Sequence, residues 1–97
     1  MNNFNLPITD KNSVPVYDCH VILSPPDAEE HSYRAVVSNL PEVTAQGATE
    51  RDCLHQIVSR FKAAIRACRE EGRTIPWMEP KLEPKPGQQE RWIPVHL

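Results

Sequence analysis

Regular alternation of apolar and polar residues begins at Val16. Tyr17, Cys19, Val21 and Leu23 fall on one side and Asp18, His20 and Ile22 on the other, the two-residue period of a strand. Ser24-Pro25-Pro26-Asp27 imposes a turn, and Ala28-Glu29-Glu30 continues it as a hairpin-type loop. A second strand is expected over His31 to Leu40, with Tyr33, Ala35 and Val37 on one face. Pro41 has no N–H to give a ladder, so this strand must end there or lie at a sheet edge. A short third strand is expected around Val43 to Gln46, with Gly47 as a flexible corner.

The period then changes. Leu54, Ile57, Val58, Phe61, Ala64, Ile65 and Cys68 recur at three- and four-residue intervals, one apolar stripe of an amphipathic helix. Thr49 is a good N-cap, and Asp52 three positions on approximates a capping box with a carboxylate at the positive helix end. Gly72 suits the position after the C-cap, with Pro76 beyond it, so the helix is predicted from about Glu50 to Glu71. Ile75-Pro76-Trp77 leads into MEPKLEPKPGQQE, read as an extended connector with little to bury. Trp92, Ile93, Val95 and Leu97 suggest a last strand over 91–97, which Pro94 confines to an edge. The organisation expected is a polar, loosely ordered arm over 1–13, a core domain over 14–77, a proline-rich linker over 78–90 and the C-terminal strand over 91–97.

Composition narrows the function. With 97 residues the chain is one domain with a modest core, and its formal net charge of -2 supplies no global field toward nucleic acid or anionic membrane. Cys19, Cys53 and Cys68 are odd in number and lack CxxC spacing, which points to a reducing compartment and a cytoplasmic location. The start, MNNFNLPITDKNS, lacks the basic and apolar regions of a secretory signal, and no apolar run is long enough to span a bilayer.

Together "YRAVVSNLPEVTAQGAT", "ERDCLHQIVSRFKAAI" and "EEGRTIP" resemble the HicB-like antitoxin family over about Tyr17 to Trp77. The positions that carry the likeness are Tyr33, Leu40, Pro41, Gly47, Thr49, Ala64, Gly72, Ile75 and Pro76. The resemblance implies an α+β fold, β-β-β-α-β, of partial RNase H-like type. It also implies a small RNA-cleaving toxin of the HicA kind as partner. Two departures stand out. The turn reads Asn39-Leu40-Pro41-Glu42-Val43, without the family's acidic residue and glycine, and nothing after Trp77 has the pattern of a DNA-binding helix. The chain looks like the family's core alone.

Nuclease chemistry of the RNase H kind needs several carboxylates converging on divalent metal. Asp18 could sit in the first strand, but Asp52 is used at the helix start and Glu70 and Glu71 at its solvated end. A zinc pair of Cys53 and His55 fails because residues two apart on a helix point in different directions. No Gly-rich phosphate loop and no nucleophile elbow occur. The reading is therefore a non-enzymatic module with no metal or cofactor, associating as a homodimer. Candidate surfaces are the acidic loop Asp27, Glu29 and Glu30 for a basic partner, and Trp92, Ile93 and Val95 for self-association. A basic strip of Arg51, His55, Lys62, Arg66, Arg69 and Arg73, within a wedge of roughly 60° at 100° per residue, is the candidate for nucleic acid. His20 and His31 are read as exposed strand residues.

Overall fold

The structure, a computed structural model, describes residues 15–97; the arm expected at the start of the chain lies outside them. The element order is β1 (Val16–Ser24), β2 (Tyr33–Val37), β3 (Leu40–Gly47), α1 (Glu50–Glu70) and β4 (Gln89–His96). The strands form one antiparallel sheet in the order β3-β2-β1-β4, and α1 packs on one face of it. This is an α+β fold, with β3 and β4 as its edges.

The inner face of β1 is the predicted one. Cys19, Val21 and Leu23 have no exposed surface and join Ala35, Val37, Val43, Ala45 and Val95 beneath Ile57, Phe61 and Ile65 of α1. Of the stretch read as one strand from His31 to Leu40, only Tyr33–Val37 is β2; the chain turns at Ser38-Asn39, and the expected short third strand is β3, which starts at Leu40 rather than Val43. Pro41 lies inside β3 rather than ending a strand. It is tolerated there because β3 is an edge and the register shifts beside it, between Val36 and Val37 of the partner strand.

The helix begins as its sequence dictates. Thr49 is extended (φ -125°, ψ 161°) and its hydroxyl accepts the Asp52 N–H at 3.0 Å. It ends one residue earlier than expected, with Glu71 as C-cap. Gly72, at φ 67°, donates its N–H to the Arg69 carbonyl, while the Arg73 N–H reaches the Cys68 carbonyl. This pair of bonds is a Schellman motif, which satisfies two of the last carbonyls.

The apolar stripe is rolled toward β3: Cys53 is fully buried, whereas Leu54 and Val58 lie at the margin of the core. Two contacts fix this attitude. Arg60 donates to the Thr44 carbonyl of β3 at 2.8 Å, and Arg91 of β4 pairs with Glu50 at the helix start at 3.0 Å. Gly47 is not a flexible corner. A β-carbon there would lie 2.7 Å from the Cys53 nitrogen and 3.0 Å from its Cα, so the end of β3 touches the helix backbone.

The proline-rich segment does more than connect. Met78 donates its N–H to the Asn39 carbonyl and Leu82 its N–H to the Ser38 carbonyl, both at 2.8 Å. His20, Ile22 and Ser38 belong to the side of the sheet away from α1, yet all are buried. Among the described residues, the segment between α1 and β4 and the Trp92 side chain are what is available to cover them. The last strand starts at Gln89, two residues before the expected boundary, and pairs with β1 along its length.

Candidate functional site

The buried polar residues of the outer face meet at His20. Its Nδ1 lies 2.7 Å from the Ser38 hydroxyl, and its Nε2 lies 2.8 Å from Oε1 of Glu90. The Trp92 indole stacks on the imidazole, with ring centroids 4.8 Å apart and planes 7° from parallel. The backbone organises this set: His20 and Trp92 are cross-strand partners, and the Ser38 N–H donates to the His20 carbonyl at 2.9 Å. His20 was expected to be an exposed strand residue; burial of the outer face corrects that. Nothing local marks it, because Ser38 lies 18 and Glu90 70 residues away in sequence.

A serine, a histidine and a carboxylate in line have the composition of a hydrolytic triad. Such a triad works only if the serine oxygen can reach a substrate carbonyl. Ser38 has no exposed surface, and its carbonyl is capped by the Leu82 N–H. What the arrangement does is tie β1, the β2–β3 turn and β4 together with bonds that satisfy both imidazole nitrogens and the Ser38 hydroxyl. His20→Phe keeps the ring stack but leaves the Ser38 hydroxyl without a partner, and an unmade buried hydrogen bond costs about 1–3 kcal/mol. The expected result in urea unfolding is a clear loss for His20→Phe and a smaller loss for Ser38→Ala. The double variant should lose less than the two singles combined, the coupling that a shared hydrogen bond produces.

The three cysteines are buried. Burial pushes the Cys19 thiol up to about 12, so it stays protonated at neutral pH. Cys53 is shifted the same way by burial and then by Glu50. Cys53 and Cys68 are core residues, as expected of free cysteines. Asp18 and His31 are exposed. No group of three or more His, Cys, Asp or Glu side chains converges as a metal site among the described residues. A cavity of about 260 Å³ lies between the β1–β2 loop and the start of β4, lined by Ser24, Pro25, Pro26, Arg34, Pro86 and Gln88, and touches none of the His20 cluster.

The acidic loop is ordered by its own first residue. Asp27 Oδ1 accepts the N–H groups of Glu30 at 2.8 Å and Glu29 at 2.9 Å, and those bonds hold its carboxyl below the usual range. Asp27 thus shapes the loop, and Glu30 accepts the Ser32 N–H, while Glu29 takes part in no ion pair among the described residues.

Of the basic strip, Arg51, His55, Arg66 and Arg69 are exposed on α1 and Lys62 is half-buried. Arg73 does not belong to it: the helix has ended, and its guanidinium is paired with Glu71. Of the three residues expected to self-associate, Trp92 is 62% exposed, Ile93 half-buried, and Val95 occupied in the chain's own core. The last strand folds back on its own sheet.

No family model, curated protein or solved structure matches the chain. No helix among the described residues is long and apolar enough to cross a membrane.

Proposed function

We propose that this domain is a non-enzymatic interaction module of the HicB-like antitoxin type, which acts by covering a small basic, RNA-cleaving protein of the HicA kind. The observation that carries the reading is the β-β-β-α-β order, with the residues of the resemblance, apart from Ala64 within α1, falling at or near its junctions. Leu40 and Pro41 open β3, Gly47 and Thr49 make the tight passage into α1, and Gly72 closes the helix before Ile75-Pro76. The partial RNase H-like character and a cytoplasmic location belong to the same proposal. Sealing of Ser38 and Cys19 favours binding over catalysis as the use of the scaffold.

Inhibition would rest on steric cover and on charge complementarity to an RNA-binding surface. The carboxylate free for that contact is Glu29, with Asp27 holding the loop that presents it. A homodimer formed through a sheet edge completes the proposal, with Trp92 and Ile93 at the β4 edge as its contacts.

Affinity capture of the tagged protein from its native lysate, followed by light scattering of the complex, tests this. A small basic protein at near-equal stoichiometry is expected, one that arrests growth when expressed alone and is neutralised on co-expression. Glu29→Lys should weaken the complex without altering thermal stability, because it removes no bond within the fold. Recovery of the domain alone would refute the antitoxin reading.

A further inference from the structure

Between Asp52 and Glu70, which border it, the solvent face of α1 carries only positive charge. From Cys53 to Arg69 the sequence contains no acidic residue. Over the same stretch Lys62, Arg66 and Arg69 recur at the helical spacing that aligns them with Arg51 and His55. The row runs about 27 Å along the axis at 1.5 Å per residue. An ordinary solvated helix mixes signs at three- and four-residue separations, because such pairs stabilise it slightly while like charges repel. Here none of Arg51, Lys62, Arg66 and Arg69 takes part in an ion pair among the described residues. The four pairs that do form use other cations, and the protein as a whole is net negative. Four cations without an ion pair among the described residues are therefore gathered in one row, with Asp52 and Glu70 at its borders.

The row ends at an aromatic surface contributed from elsewhere in the chain. The Arg69 Nη1 meets the Tyr17 hydroxyl at 3.5 Å. The Tyr17 ring lies 6.4 Å from that of Trp77, which also leans on Phe61 at 6.3 Å. Trp77 remains 39% exposed although it is anchored on two rings. A line of unpaired cations leading to a fixed, exposed indole is the pairing of groups that binds single-stranded nucleic acid: cations follow the phosphates, and a π-face takes an unstacked base. Duplexes offer no free base to Trp77, and an acidic protein would leave it unused.

We propose that α1 and Trp77 form a binding surface for single-stranded nucleic acid, with Arg51, Lys62, Arg66 and Arg69 on the phosphates and Trp77 stacking one base. This surface is separate from the acidic loop, so it stands or falls independently of the antitoxin reading.

Anisotropy of labelled single strands of about twelve nucleotides, within the 4–16 that such modules cover, tests the proposal with oligo(rU) and oligo(dT) in parallel. Binding of either is expected to weaken with salt. The slope of log K against log[salt] should be about -3, from four phosphate contacts at about -0.7 each. Lys62→Gln with Arg66→Gln, on a solvent-facing helix side, should halve that slope. Trp77→Leu should lower affinity about 5- to 150-fold while leaving the slope unchanged. A duplex of the same length should bind more weakly than either strand. Binding that ignores salt or the paired glutamines, equal or tighter binding of the duplex, or no binding at low salt would each overturn the proposal.

Discussion

Phe61→Ala is expected to remove about 3–5 kcal/mol of stability, enough to leave a domain of this size close to unfolding at room temperature. Phe61 is the largest fully buried side chain, at the centre of the layer between α1 and the sheet. Truncation loses the transfer of the ring and leaves a cavity whose walls cannot readily collapse. One side is the ladder of β1 and β2, and the other is a helix pinned at Thr49 and Arg60. The ring also supports Trp77. Urea unfolding followed by tryptophan emission should show a lower midpoint with the slope retained, and a red-shifted native spectrum. Phe61→Leu, which fills more of the space, should cost less than about 1.5 kcal/mol. Equal effects from the two variants would mean that the ring is not packed as described.

Gly47→Ala is expected to cost about 1–3 kcal/mol by overpacking, although adding one methyl to an exposed turn commonly stabilises slightly through the unfolded chain. The β-carbon would meet the Cys53 nitrogen and Cα and the Asp52 carbonyl carbon, the last at 3.1 Å. All are backbone atoms of the first helical turn, so no side chain can rotate away. Relief requires moving the helix start off β3, which would unseat Cys53 from the core. Gly72→Ala is the control, because its added atom meets open space and only the left-handed φ of 67° opposes it. Equilibrium unfolding should show Gly47→Ala retaining its loss when Cys53 is unchanged and recovering part of it with Cys53→Ala, which loosens the neighbouring core. If Gly47→Ala proves neutral, the close approach of β3 to α1 is wrong.

These two positions show how unevenly the fold was legible. Phe61 was assigned to the core from its three- and four-residue spacing with Ile57, Ile65 and Cys68, a signal carried within a few turns of helix. Gly47 was recognised as a junction for the wrong reason, since its closeness to Cys53 depends on how two elements pack. The turn at Ser38-Asn39 lies earlier than expected because Pro41, which has no N–H for a ladder, reads as the stronger stop and no Gly marks the turn itself. Val95 is a similar case: Pro94 signalled an edge, which β4 is, but not that the neighbouring valine fills the chain's own core.

By itself the sequence determined the strand β1 with its inner face, the helix with both caps, the edge character that two prolines force, and the basic strip along the helix, bordered by Asp52 and Glu70. All are set by periodicity, by conformational limits of single residues, or by neighbours within about one turn. Only the tertiary structure decided the meeting of Ser38, His20 and Glu90, the proline-rich segment laid against the β2–β3 turn, and the placing of Trp77 beside Arg69. Those contacts join segments far apart in the chain. They depend on which strand lies next to which and on the roll of the helix above the sheet, geometry that the spacing of residues along one segment does not encode.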